Sequence, residues 1–318
     1  MLETFWNNKE VLITGGTGSL GKVLTKKLLE KSPKGIRIYS RDELKQWEMK
    51  QEIEKINTKI PISYLIGDVR DRKRLELATK NVDIIIHTAA LKQVPSSEKN
   101  PLEVIKTNVM GAQNVLYAAL ENKIKKVIAI STDKACYPVN LYGATKLCAE
   151  KLFMAGNVYS GDRYPKISCI RYGNVLGSRG SIVPLFKKQH EETGRVTITD
   201  PSMTRFWITL NQVVRFILAS IERMTGGEIF IPKMGSAGVM TILEAVIPAK
   251  CEISTIGIRP GEKLNEILVN KEESLNTIEH DDYFVITNKV VSSAFEYRSD
   301  TNKNQLNYRQ IRKMLKDG

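Results

Sequence analysis

Acidic residues are in deficit: 35 Asp and Glu stand against 48 Lys and Arg in 318 residues, a formal charge of +13. That excess suits a polyanionic partner or a phosphate-bearing substrate. The lysines run from Lys9 to Lys316 without gathering into a tail or a stripe, which argues against nucleic acid as the partner. Cysteine is scarce as well. Cys136, Cys148, Cys169 and Cys251 form no C-x-x-C pair and have no histidine at ligand spacing, which excludes a disulfide scaffold and reads as reduced thiols of a cytoplasmic protein. His87, His190 and His280 show no metal-binding spacing, so no metal is expected, and His87 in Ile-Ile-Ile-His reads as a buried strand residue. No stretch approaches about 18 uninterrupted apolar residues, and no basic segment followed by an apolar one opens the chain; neither a membrane span nor an export signal is expected.

What is present is a rhythm. Short, β-branched, non-alternating runs recur at Val11–Ile13, Ile36–Tyr39, Ile62–Ile66, Asp83–Ile86, Val127–Ile130 and Ile167–Ile170, as strands buried on both faces of a parallel sheet should be. Amphipathic stretches such as Gly21–Lys31 and Pro101–Asn122 lie between them. Strand and helix in succession predict an α/β fold with a doubly wound, Rossmann-like parallel sheet. After about Asn174, Gly and Pro become frequent and the segments irregular. Residues 1–173 are therefore expected to form a dinucleotide-binding domain. Residues 174–318 would form mainly a smaller substrate-binding unit, with some segments returning to the first.

The first run ends in Thr14-Gly15-Gly16-Thr17-Gly18-Ser19-Leu20-Gly21, which opens directly into a helical pattern. Gly15, Gly18 and Gly21 let the backbone turn sharply and approach a pyrophosphate, whose charge then meets free N–H groups at a helix N-terminus. The second run ends in Ser40-Arg41, where an NAD enzyme would carry an acid for the ribose hydroxyls. Arg41 offers a planar cation to a 2'-phosphate, favouring NADP; the competing reading is a surface arginine. Asp68-Val69 stands where an adenine amino group could be accepted, or where Asp68 caps a helix before Arg70. Ala89 and Ala90 are small where the chain should pass close under the cofactor.

Tyr142 and Lys146 are spaced i, i+4, so both project from one helix face. A lysine cation and a cofactor charge beside the phenol would favour the phenolate and make it a base.

Together these features resemble the extended short-chain dehydrogenase/reductase superfamily. Ser131-Thr132-Asp133-Lys134, Pro138 to Lys146, Ser40 to Gln46, Met203 to Trp207 and Gly257 to Lys263 look like the inverting UDP-N-acetylglucosamine 4,6-dehydratases. The resemblance runs from about residue 8 to residue 270. It departs at Lys99, where tyrosine is expected. It implies that Thr17, Ser19, Leu20, Ser40, Lys45 and Val175 join the NADP site, and that Thr132 acts with Asp133 and Lys134. The chemistry fits. Oxidising C4 to a ketone acidifies the C5 hydrogen; Tyr142 would take the C4 hydroxyl proton, Lys134 the C5 proton, and Asp133 would protonate the departing C6 oxygen. Adjacent side chains diverge on a strand end, so Asp133 and Lys134 serve different atoms only if a loop begins there; otherwise they are an exposed ion pair. For the UDP-sugar, Lys92, Asn174, Arg179, Lys187, Arg205, Arg259 and Glu262 are the candidates. A homo-oligomer is expected. An epimerase of the same superfamily and a non-catalytic NADP-binding scaffold are the rival readings.

Overall fold

The computed structural model describes residues 5–56, 58–161, 163–177, 181–247, 251–291 and 293–317. The six expected runs form β1 (Glu10–Thr14), β2 (Gly35–Ser40), β3 (Ile62–Ile66), β4 (Ile84–His87), β5 (Lys126–Ile130) and β6 (Lys166–Ile170). All six pair in parallel, in the order β3-β2-β1-β4-β5-β6. Chain order reverses between β1 and β4, which leaves a crevice beyond their carboxyl ends, the place where open parallel sheets take ligands. The interior strands are buried along nearly their whole length. β3 departs from that expectation because it forms the edge of the sheet. None of its residues is fully buried, and Ile66 is 50% exposed.

The crossovers in this half are α1 (Ser19–Leu29), α2 (Glu43–Glu54), α3 (Arg72–Ala78), α4 (Val94–Lys99), α5 (Pro101–Ile105), α6 (Gly111–Glu121) and α7 (Leu141–Ser160). The pattern expected as one helix over Pro101–Asn122 is interrupted between α5 and α6 by a wide turn, Lys106–Met110, in which Gly111 N bonds to Lys106 O. Such turns recur at functional sites, and this one turns Asn108 inward. Asn108 exchanges two hydrogen bonds with the backbone of Leu91, at 2.8 and 2.9 Å, and donates to Thr145 Oγ1 of α7 at 3.0 Å. The loop after β4 is thereby tied to the helix that carries Tyr142.

The rest of the chain forms β7 (Asn174–Val175), α8 (Ile182–Thr193), β8 (Arg195–Ile198), β9 (Thr204–Ile208), α9 (Leu210–Arg223), β10 (Ile229–Pro232), β11 (Gly235–Gly238), α10 (Val239–Val246), β12 (Glu252–Thr255), β13 (Ile267–Val269), α11 (Lys271–Ser274), β14 (Thr277–Glu279), β15 (Tyr283–Ile286), β16 (Tyr297–Arg298) and α12 (Tyr308–Asp317). It does not stay apart from the main sheet. β10 joins β6 in parallel, β15 and β14 extend the sheet in antiparallel fashion, and α9 packs on α1. β7, β9 and β11 form a second sheet, while β8 pairs with β12 and β13 with β16. A separate cluster of buried side chains, including Phe186, Val196, Trp207 and Ile242, supports these smaller sheets.

Candidate active site

A cleft of about 1130 Å³ runs across the carboxyl edge of the main sheet. β1 delivers the glycine loop to one side of it. Gly15 takes φ +67°, a backbone shape that side chains disfavour, and a Cβ there would stand 2.9 Å from Ala89 Cα. A Cβ on Gly21 would stand 2.3 Å from Gly16 O, so the start of α1 can lie this close to the loop only as glycine. Gly18 precedes α1 in extended conformation, and no side chain caps the helix, whose N-terminal amides are left for a ligand. Gly15, Thr17, Gly18, Ser19, Leu20, Gly21, Ser40, Arg41, Lys45, Asp68, Val69, Ala89, Ala90 and Val175 all line the cleft.

At its far corner Arg41 Nη1 lies 3.7 Å from Asp68 Oδ2, and Lys45 pairs with Asp42 at 2.6 Å. Asp68 does not cap a helix, since Asp71 caps α3. Its carboxylate accepts from Arg70 N at 2.9 Å and Arg70 Nε at 2.8 Å. Burial would raise the Asp68 carboxyl, but Arg70, with Arg41 behind it, holds it below the usual range.

The chemistry-bearing residues leave the ends of β5 and β6. After Ile130 the chain turns through a short helical segment, Asp133–Ala135, whose start is capped by Thr132. That turn separates the two adjacent side chains. Asp133 is fully buried; its Oδ1 accepts from Thr132 Oγ1 at 2.9 Å and from Lys134 Nζ at 3.0 Å, and its Oδ2 has no hydrogen-bond partner among the described residues. Thr132 and Lys134 line the cleft and Asp133 stands behind them. The pair is thus not the exposed ion pair that the sequence left open. Lys134 Nζ also lies 3.2 Å from Glu266 Oε1 and 3.5 Å from Asn174 Oδ1. Burial alone would lower this amine, but Asp133 and then Glu266 outweigh it and hold it above the ordinary lysine range.

Tyr142 sits in the first turn of α7, which Asn140 caps, and both Tyr142 and Lys146 line the cleft. Burial pushes the Tyr142 phenol up to about 12, against the lowering effects of Lys134 and a hydrogen bond with Thr132. Lys146 Nζ donates to Ile130 O at 2.6 Å, and burial lowers this amine. His87 is a buried strand residue bonded to Thr14 Oγ1 at 2.8 Å, with burial pushing its pKa down to about 3.

Of the substrate candidates, Lys92 and Asn174 line the cleft, and Arg179 lies outside the described residues. The structure does not bring the remaining four to the cleft wall. Lys187 is exposed on α8. Arg205 is spent on the carbonyls of Thr204, Leu264 and Lys263, at 2.7, 2.9 and 2.9 Å. Arg259, half exposed, lies 3.8 Å from Glu262 on an irregular loop. Sequence reading missed Tyr39, Gly67, Thr107, Ser131, Tyr172, Ser181 and Leu210, all of which line the cleft. The side-chain hydroxyls of Thr107, Ser131 and Ser181 are buried without a partner among the described residues, so this wall has donors to offer a ligand.

The sequence profile of the family described as polysaccharide biosynthesis protein matches residues 11–288. The UDP-N-acetylglucosamine 4,6-dehydratase (inverting) of Campylobacter jejuni subsp. jejuni serotype O:23/36 is 52% identical over 287 residues, 90% of this chain and 84% of that protein. The UDP-glucose 4-epimerase of Rickettsia akari is 39% identical over 330 residues, 97% of this chain and 95% of that one. Among solved structures, Pen from Bacillus thuringiensis is similar with a TM-score of 0.92 and 38% identity, each chain covering 99% of the other.

Proposed function

The chain belongs to the polysaccharide biosynthesis protein family, and on that premise we propose that it is a UDP-N-acetylglucosamine 4,6-dehydratase that inverts C5. Its product would be a UDP-4-keto-6-deoxy-hexosamine for surface glycan synthesis, which makes it an NADP-dependent lyase. The observation that carries this reading is Lys134 at the cleft wall, 3.0 Å from the buried Asp133 and on the same cleft as Tyr142. A cleft of about 1130 Å³ suits a dinucleotide and a sugar nucleotide side by side. The glycine loop and the uncapped start of α1 fit a pyrophosphate, and Arg41 with Lys45 fits a 2'-phosphate. A cytoplasmic site accords with four free cysteines.

When bound, the cofactor supplies the hydride acceptor at C4 and the hydride donor at C6. With Lys134 and Lys146 at the same cleft and a cofactor charge beside it, the Tyr142 phenol would be drawn down from its free value and, as the phenolate, would take the C4 hydroxyl proton. Lys134 is an ammonium at rest, so it becomes a base by passing a proton from Nζ to Asp133. That single transfer leaves a neutral amine for the C5 hydrogen and a carboxylic acid for the C6 oxygen. Asp133 lies behind the wall, and its proton reaches the cleft through the Thr132 hydroxyl to which it is bonded.

The test is incubation with UDP-N-acetylglucosamine in deuterated water, followed by mass spectrometry and proton NMR. The expected product has lost water and carries solvent deuterium at C5. A product of unchanged mass with an altered ring centre would make the chain an epimerase. Retained cofactor with no turnover would make it a binding scaffold.

A further inference from the structure

Glu266 does not line the cleft, yet three cations gather around its carboxylate. It is 2% exposed, with Oε1 3.2 Å from Lys134 Nζ and 3.8 Å from Arg205 Nε, and Oε2 3.8 Å from Lys263 Nζ. Oε2 has no hydrogen-bond partner among the described residues. The backbone beneath is fixed: Glu266 N donates to Ser299 Oγ at 2.9 Å, and Ser299 N donates to Glu266 O at 2.9 Å, where β13 pairs with β16. A buried carboxylate with an unbonded oxygen is costly, and that cost is offset only by the charges it faces. Lys263, in turn, donates to Cys136 O at 2.6 Å, directly beside the Asp133–Ala135 turn. The second half of the chain therefore holds the catalytic turn at two points, Glu266 on Lys134 and Lys263 on the carbonyl of Cys136.

Resting on the dehydratase reading, we propose that Glu266 is a positioning residue for that reaction, the second anionic anchor of the Lys134 ammonium, which fixes where the nitrogen stands and how readily its proton passes to Asp133. The groups that face Lys134 are Asp133 from its own turn, Glu266 ahead of β13, Arg205 from β9, Asn174 from β7, Lys92 beyond β4 and Tyr142 from α7. Two carboxylates balance the cations Arg205 and Lys92. Remove one, and the amine faces two cations with Asp133 alone, so its proton is held less tightly.

The test is Glu266→Gln, which keeps the shape and removes the charge. In protein carrying lysine labelled with carbon-13 at Cε, the Lys134 resonance is assigned by its loss in Lys134→Arg and followed from neutrality to the alkaline limit of the fold, where the unmodified ammonium, held above the ordinary lysine range, should still be largely charged. In Glu266→Gln the midpoint should fall by at least about one unit, so that deprotonation sets in at correspondingly lower pH, the low end for loss of an opposite charge at this distance. Glu266→Asp, with the charge kept but withdrawn by one methylene, should fall between the two, and it carries the test should the Gln variant not fold. An unchanged midpoint overturns the anchor. With UDP-N-acetylglucosamine, the pH limb of C5 deuterium exchange should move to lower pH by a similar amount; a fall in rate that is uniform at every pH overturns the role as well. If the unmodified protein neither exchanges nor dehydrates this substrate, the dehydratase reading fails, while the lysine titration still decides whether Glu266 anchors Lys134.

Discussion

Arg41 leaves β2 with a carboxylate already near it, Asp68 at 3.7 Å, and its side chain is 53% exposed. A 2'-phosphate at this corner would be a second and better partner, since the fork of a guanidinium matches its oxygens. Arg41→Asp would place a third carboxylate beside Asp68 and Asp42. We expect the preference for NADP over NAD to fall at least about 10-fold in that variant, the equivalent of one charge-assisted hydrogen bond, as measured by calorimetric titration of both cofactors. Equal affinity of the unmodified protein for the two would remove Arg41 from the site. Residues of this kind are legible in sequence because they follow a strand end within four residues: the glycine loop after β1, Arg41 after β2, Asp68 after β3, Ala89 after β4, Asp133 after β5 and Asn174 after β6. Glu266 is not legible in that way. It stands 132 positions from Lys134, and its significance comes from burial beside a cation, which no local spacing records.

Among the elements, α7 does most to assemble the site, and Gly143 is the reason it can. A Cβ at Gly143 would lie 2.2 Å from Lys134 O and 3.0 Å from Lys134 C, which are backbone atoms of the catalytic turn. Helix and turn are thus in contact without an intervening side chain, and Tyr142 is placed against Thr132 as a result. Gly143→Ala must push them apart. We expect a loss of about 1–3 kcal/mol in urea unfolding, typical of overpacking, together with at least about a 10-fold loss of turnover. Normal turnover with unchanged stability would show that the contact is looser than this. The six parallel strands could be read from the sequence because each is a short apolar run that is buried on its own terms. The wide turn Lys106–Met110 could not, since nothing in Lys-Thr-Asn-Val-Met departs from a helical pattern; the bonds made by Asn108 across the fold decide it. Nor could the return of β10, β14 and β15 to the main sheet be placed, because the pairing of β10 with β6 depends on partners some 60 residues apart.

Across the whole molecule, the parts are joined by a buried ion triad. Arg171, fully buried just beyond β6, donates to Glu150 of α7 at 2.7 and 3.1 Å and to Glu273 of α11 at 2.8 and 2.9 Å, with a further bond to Leu268 O at 2.9 Å. Glu273 also accepts from Cys136 Sγ at 3.6 Å and, through its capping box with Asn270, starts α11. Replacing Arg171 with methionine fills similar space but leaves two carboxylates without their cation. We expect about 3–5 kcal/mol of lost stability at neutral pH, the range for breaking a buried pair from one side. The pH dependence follows from Glu273. Burial would raise its carboxyl, but Arg171 overrides burial and holds it below the usual glutamate range. A depressed folded-state pKa contributes stability that is present above the unfolded value, about 4.3, and is lost as pH falls through the folded one. In Arg171→Met that contribution is absent at every pH. The penalty of the substitution should therefore be largest at neutral pH and shrink in acid, as read from urea unfolding of both proteins at pH 7 and near pH 3, below the unfolded glutamate value of about 4.3. A penalty equal at both pH values would mean that Arg171 holds the elements together by packing alone, with no electrostatic tie between α7, β6 and α11.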